Sequence, residues 1–262
     1  MSGKRLAFPK NRRLVLDICR AAKSVPTFPV ERSFQLGNLL EARDRANTRI
    51  SWTALYTRAY GLVSQAIPEL RQMFVTYPSA RLYEHHQSVA SISIHRDDPS
   101  GGKRLIWGRI DGAEHNGLIE IQQRLDYVTR GPLDKVFVDG MRIERLPAPL
   151  RTLSWWLAMH WQGRQRAKRI GTFSISTLAG EDTINRGHPL VGTTSLAYSR
   201  SDSNGTCLVT LLADHRVLDG ILAARALKLL ETKLNGQVLT ELNALSHVGN
   251  LHDRKFADNE AA

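Results

Sequence analysis

The side chain best placed to move a proton is His215. It follows the apolar run Thr206-Cys-Leu-Val-Thr-Leu-Leu-Ala213, and four residues later Asp219-Gly220 opens a run in which Leu222, Ala226, Leu229, Leu230 and Leu234 recur at helical spacing. A buried strand, a turn and an amphipathic helix are therefore expected, with Asp219 capping the helix and Gly236 ending it. An imidazole on such a turn, at the edge of a core, can act as a general base near neutral pH. A second stretch, Gly171-Thr-Phe-Ser-Ile-Ser176, alternates like a strand and delivers a hydroxyl to a turn. A lone histidine beside a turn is more often packed or capping than catalytic, so the surrounding elements must decide.

Those elements alternate helix and strand. Lys10 to Lys23 reads as a helix carrying Leu14 and Ile18 inward, stopped before Pro26. Thr27 to Phe34 reads as a strand, Leu36 to Ala46 as a helix, and Ser51 caps a longer helix whose stripe is Leu55, Ala59, Leu62, Val63 and Ala66. Leu82 to His95 is strand-like, the turn Asp97 to Gly102 leads to a partner strand at Arg104 to Ile110, and Leu118 to Val128 returns to helix. Leu146-Pro-Ala-Pro149 is a break, followed by a helix from Leu153 to Ala167 whose three tryptophans, Trp155, Trp156 and Trp161, are expected to pack in a core or interface. Leu190 to Tyr198 is a further strand.

Composition excludes some functions. With 262 residues, 42% hydrophobic and 23% charged, the chain suits a globular protein of one large domain or two small ones. No apolar run approaches bilayer length and Met1-Ser-Gly-Lys-Arg5 lacks the apolar block of a secretory signal, so a cytoplasmic location and no membrane partner are expected. Cys19 and Cys207 suit reduced core thiols. His85-His86 would point to opposite faces of a strand, with no further ligands at useful spacing, so no metal site is expected. The net charge of +11 is spread over modest groups at Lys4-Arg5, Lys10 to Arg13 and Arg164 to Arg169, with no nucleic-acid-binding module; a solvated basic face explains it better.

The Asp214-His215-Arg216, Asp219-Gly220 signature resembles that of the acyltransferase subunits of 2-oxo-acid dehydrogenase complexes and, more distantly, the His-x-x-x-Asp-Gly motif of chloramphenicol acetyltransferase. Gly171 to Gly180 is similar to the same acyltransferases' Gly-x-Phe-Thr-Ile-Ser-x-Leu-Gly motif, departing from it by Ala179 before Gly180. Asn11-Arg-Arg, Ser24-Val-Pro26, Ile50-Ser51 and Ile67-Pro-Glu-Leu70 follow in the family's order. Arg104-Leu-Ile-Trp-Gly-Arg-Ile110 departs from the family's usual Gly-Leu-Ile-Val-Pro-Val-Ile, so the substrate channel is expected to differ there.

The resemblance spans about residues 5 to 240. It implies an α/β two-layer sandwich with a mixed sheet, chloramphenicol acetyltransferase-like, over residues 1–240, leaving 241–262 as a polar, flexible tail. It also implies a homotrimer or higher assembly and transfer of an acyl group to or from coenzyme A, with His215 as base, Ser176 of a neighbouring subunit stabilising the oxyanion, and Asp219 holding the turn through an ion pair with Arg12 or Arg13. Arg20, Ser199 and Arg200 match coenzyme-binding positions, with Arg200 replacing a lysine. The stand-alone form leaves no room for a lipoyl-lysine, so the acceptor would be a lipoyl group or acyl carrier supplied in trans, or a small molecule. A positive surface would attract either anionic partner. The alternative is a non-catalytic trimeric scaffold; retention of His215, Ser176 and Asp219 together favours catalysis.

Overall fold

The run ending at His215 forms a strand, β8 (Thr206–Asp214), in a computed structural model that describes residues 3–98 and 101–245. β8 lies between β1 (Thr27–Gln35) and β7 (Thr194–Tyr198), antiparallel to both. β7 continues in parallel to β6 (Phe173–Ile175) and β4 (Val89–Asp97), and β5 (Lys103–Asp111) closes the edge antiparallel to β4. The sheet is thus mixed, in the order β1-β8-β7-β6-β4-β5. A separate hairpin-like pair, β2 (Gln72–Val75) and β3 (Arg81–Glu84), takes up the first part of the segment expected as one strand from Leu82 to His95. The chain bends at 85–88 because Ser88 gives its backbone N–H (2.8 Å) and its hydroxyl to the buried carboxylate of Glu114.

Nine α-helices are described: α1 (Arg13–Ala22), α2 (Gly37–Arg45), α3 (Trp52–Ala66), α4 (Leu118–Arg130), α5 (Leu133–Val136), α6 (Val138–Arg145), α7 (Ala148–His160), α8 (Gly163–Ile170) and α9 (Gly220–Lys233). Helices α3, α4 and α9 cover one face of the sheet, burying Leu55, Val63, Ile121, Leu125, Leu227 and Leu230 against Phe34, Ile92, Phe173 and Leu211. Ser51 caps α3 as expected, accepting from Ala54 N (3.2 Å), and its hydroxyl also reaches Gln122 of α4 (2.8 Å). The expected departure at Trp107-Gly108-Arg109 has a packing reason: a Cβ on Gly108 would lie 1.9 Å from Val128, so only glycine lets α4 sit this close to β5. Gly236 does not end α9. The chain makes a π-turn at Leu234–Val238 and stays helical to residue 245, with Leu242 in the core, while residues 246–262 of the expected tail lie outside the described residues.

The helix expected from Leu153 to Ala167 is two helices. Prolines 147 and 149 sit at the cap and first turn of α7, where no amide hydrogen is needed, so the helix begins at Ala148 and breaks at Trp161-Gln162 before α8. Its tryptophans do not form a core: Trp155 is half-buried, while Trp156 and Trp161 are exposed. What holds α7 is an ion pair, Arg151 Nε to Asp17 Oδ2 of α1 at 2.8 Å, with both side chains buried, together with Met159 packed among Val25, Leu190 and Leu212. Removing one member strands a buried charge. Arg151→Ala should therefore lower the stability measured by urea unfolding by about 3–5 kcal/mol, and the double change Arg151→Met with Asp17→Leu should restore most of it.

Candidate active site

His215 is presented by a locked turn. At the end of β8 the carboxylate of Asp214, fully buried, accepts from Arg216 three times: Nε to Oδ1 at 2.9 Å, Nη2 to Oδ2 at 2.7 Å and the backbone N–H to Oδ1 at 3.1 Å. The Arg216 guanidinium also lies over the Phe74 ring, 4.7 Å from its centroid, and donates to Ser24 O (3.0 Å). Two further amides, of Val217 and Leu218, donate to Asp214 O at 3.0 Å. With its neighbours so fixed, the exposed His215 has its backbone N–H on Pro26 O (2.9 Å) and its ring tilted against Phe28, 4.6 Å between centroids. Behind the turn, Arg166 is fully buried and donates to Val191 O, Phe74 O and Gly192 O. Burial pulls its pKa down to about 10, against the opposing pull of Asp214.

Ser176 stands at the other end of the sheet. Gly171, at φ +102°, admits the chain to β6 beside the Val89 carbonyl, which a Cβ would meet at 2.8 Å. Ser176 N donates to Leu196 O (3.0 Å), and its side chain borders a cavity of about 550 Å³ on the sheet face opposite α3 and α9. Ser91, Ser93 and Ser174 share this lining with Trp107 and Arg109, so the segment that departs from the family sequence forms one wall of the cavity.

Sequence reasoning missed a hydroxyl and imidazole cluster here. Ser174 Oγ donates to Ser195 Oγ at 2.6 Å, and His188 Nε2 is 2.6 Å from the same oxygen. His188 Nδ1 is buried with no hydrogen-bond partner. A hydrogen on Nε2, donated to Ser195, leaves a bare lone pair at Nδ1 rather than an orphaned N–H, the less costly arrangement. The cluster therefore ties the strand that carries Ser176 to the loop around His188. The repeat Ser174, Ser176 was its one visible signal, and His188 lies in a loop without periodicity.

The remaining expected site residues divide between the two ends. Arg20 is in the last turn of α1, just before Ser24 and Pro26, which bond Arg216 and His215, and it borders a small cavity of about 160 Å³ with Trp155 and His160. Asp219 caps α9, its Oδ1 accepting from Leu222 N at 2.7 Å. Its expected ion pair with Arg12 or Arg13 does not form among the described residues, and the charge that locks the turn is Asp214 instead. Ser199 and Arg200 follow β7, at the Ser176 end. The Ser199 hydroxyl accepts from Leu208 N (2.9 Å) and donates to Arg200 O (3.0 Å), while Arg200 is exposed. Leu196 is level with both Ile175 and Leu211. His215 is four residues beyond Leu211, Ser176 one residue the other way, and two strand spacings separate them. The two side chains of one chain are thus on the order of 15–20 Å apart.

His85 and His86 occupy the bend before β4 rather than a strand, so their rings meet, 4.5 Å between centroids, instead of facing apart. His85 also bonds Tyr83 OH (3.1 Å), and among the described residues no three His, Cys, Asp or Glu side chains are grouped to hold a metal.

Two measurements follow from this geometry. Asp214→Ala should leave Arg216 and Arg166 without their shared counter-charge and lower stability by about 3–5 kcal/mol in urea unfolding. Burial also holds His188 below the ordinary imidazole value of 6.5. The unfolded chain then takes up the proton first, so the stability due to the neutral ring is complete above that value and is lost as pH falls from it through the folded pKa. His188→Asn should flatten the decline of the urea midpoint below pH 6.5, leaving the part due to His85 and His160, which burial also lowers.

Neither known protein families nor curated proteins yield a match to the chain. Solved structures do. A probable dihydrolipoamide acetyltransferase from Listeria monocytogenes superposes with a TM-score of 0.64 at 14% identity, over 89% of this chain and 94% of that one. A truncated catalytic core of the 2-oxoacid dehydrogenase multienzyme complex from Thermoplasma acidophilum gives 0.63 at 18%, over 89% and 99%. The dihydrolipoamide acetyltransferase of Azotobacter vinelandii gives 0.63 at 17%, over 90% and 95%. The chain therefore has the α/β fold, with a mixed sheet, of these dihydrolipoamide acetyltransferase and 2-oxoacid dehydrogenase catalytic-core structures.

Proposed function

We propose that the protein is a coenzyme A-dependent acyltransferase whose active site is assembled from two copies of the chain. The observation that carries this reading is the division of the site. His215, on a rigid and exposed turn, lies at one end of the sheet, and Ser176, at the mouth of a cavity, lies at the other. Neither half is sufficient for thioester chemistry alone. A base is needed to make the attacking sulfur anionic, and a donor is needed where charge develops on the carbonyl oxygen.

In this reading His215 of one copy takes the proton of the attacking thiol as its sulfur adds to the thioester carbonyl. The tetrahedral intermediate carries its negative charge on oxygen, toward Ser176 Oγ of the adjacent copy. On collapse the carbon–sulfur bond to the leaving thiol breaks and the imidazolium returns the proton to it. A single oxyanion donor of this kind contributes on the order of 3 kcal/mol. Asp219 acts through the helix cap it provides to α9. The anionic coenzyme is met by Arg20 and Arg200, beside Ser199, and the acceptor is a lipoyl group or carrier in trans or a small thiol. Two comparison structures support the reading: one is a probable dihydrolipoamide acetyltransferase, and the other is the catalytic core of a 2-oxoacid dehydrogenase multienzyme complex, which accords with an assembly of several copies.

The test is a thiol-release assay with acetyl-CoA and a panel of dithiol and small-molecule acceptors. His215→Ala and Ser176→Ala should each fold and each lose transfer, by at least about a hundredfold for the serine. Unfolding and refolding the two variants together should recover part of the activity, because mixed assemblies contain interfaces with both groups intact. No release by the wild-type protein with any acceptor would leave a scaffold, and failure of the mixture to recover activity would sink the two-copy site.

A further inference from the structure

Helix α7 turns its apolar side outward. Its inner face is set by Arg151, Trp155 and Met159, four residues apart, with Arg151 on Asp17 and Met159 in a buried cluster. The opposite face carries Leu150 (51% exposed), Leu153 (51%), Trp156 (39%) and, just beyond the helix, Trp161 (54%), preceded by Leu146. Tyr77, itself 46% exposed, packs on Trp156 at 5.3 Å and widens the patch. From Leu146 to Trp161 the stripe runs about 22 Å along the helix direction. Isolated apolar side chains at a surface are ordinary, but a contiguous aliphatic and tryptophan stripe marks a contact.

Along the chain from Arg145 through the stripe, the charge has one sign. Between Arg145 and Gly180 the sequence has six basic residues and no Asp or Glu. Arg151 and Arg166 are buried, which leaves Arg145 before the stripe and Arg164, Lys168 and Arg169 after it, all exposed. On α8, Arg164 and Lys168 lie at i and i+4 and share a face, while Arg169 borders the Ser176 cavity. No salt bridge among the described residues engages Arg145, Arg164 or Lys168.

We infer that α7, with the basic ends of α6 and α8, docks the protein on an anionic phospholipid bilayer, the helix lying in the plane of the interface. Acyl chains take up the Leu and Trp stripe, tryptophan rings suit the headgroup boundary, and lipid phosphates neutralise the cations on both flanks. Nucleic acid would use the cations but leave the Leu side chains exposed in water. A second copy meeting this face two-fold would bury the stripe but bring like-charged flanks together. The expectation of no membrane partner rested on the length needed to cross a bilayer, and among the described residues no helix is long and apolar enough to do that. A helix lying on the surface has no such length requirement. The stripe adjoins the proposed coenzyme site, since Trp156 lines the same small cavity as Arg20, but docking on a bilayer requires no transfer activity.

The test is flotation of the full chain with vesicles of phosphatidylcholine alone or of phosphatidylcholine with phosphatidylglycerol, alongside sedimentation of the free protein. The wild-type protein should float with the anionic vesicles and not the neutral ones, less so as salt rises. Arg164→Gln with Lys168→Gln should weaken binding about 25-fold, near fivefold per charge. Leu153→Glu with Trp156→Glu should abolish it; Leu150→Gln, at a half-exposed position, should weaken it if that pair fails to fold. Absence of flotation with anionic vesicles, or flotation undiminished in the Leu150, Leu153 and Trp156 variants, overturns the proposal. Loss of self-association in those variants without any lipid binding overturns it too, and assigns the face to a second copy.

Discussion

A charged pair buried at the end of a strand is costly to assemble, and the fold around His215 depends on one. Asp214 and Arg216 flank the histidine and bond each other in fork geometry, so the residue between them is forced outward from the sheet edge. Burial makes the pair sensitive. Asp214 is also the counter-charge for the neighbouring Arg166, whose three carbonyl acceptors belong to the β2 strand and to the loop leading into β7. One carboxylate thereby couples the turn that bears His215, the small sheet and the approach to β7. A loss there would be felt as instability and misplacement together.

The sheet then determines what a single chain cannot do. Parallel β6 and β7 carry Ser176 and Ser199 to one end, while antiparallel β8 carries His215 to the other. Backbone rise sets their separation, and no side-chain rotation spans it. Arg20 groups with His215, and Arg200 with Ser176. Each end thus holds one reactive group and one cation. On the function proposed above, a mixed sheet of this order leaves one part of the site at each end, for two copies to complete.

Much of this was legible in residue spacing. The run into His215, the cap at Asp219, the cap at Ser51 and the stripe of α3 all depend on local rules, and each appears where those rules put it. What was not legible depended on particular side-chain pairings that no periodicity reveals. Glu114 draws Ser88 into a bend that divides one apparent strand into two elements. Asp219 has the right type for the ion pair expected of it, yet its oxygen is committed to Leu222 N, while Asp214 finds the arginine. His188 reaches Ser195 across a loop with no periodic signal.

The tryptophans of α7 show the limit most clearly. Periodicity reveals that a helix has an apolar stripe, but it does not say which way the stripe faces; burial is the usual outcome only because hydrophobic surface is usually the strongest available contact. Here the opposite face carries Arg151, and its partner Asp17 is itself buried on α1. Turning α7 by half a turn would bury Trp156 and Leu153, but it would also separate Arg151 from Asp17 and leave that carboxylate unpaired, a loss comparable to what two large side chains gain by burial. The rest of the difference comes from Met159, which already fills the space beneath the helix. The outward stripe is therefore a consequence of the ion pair, and a pattern scan that counts only apolar positions reads the helix inside out.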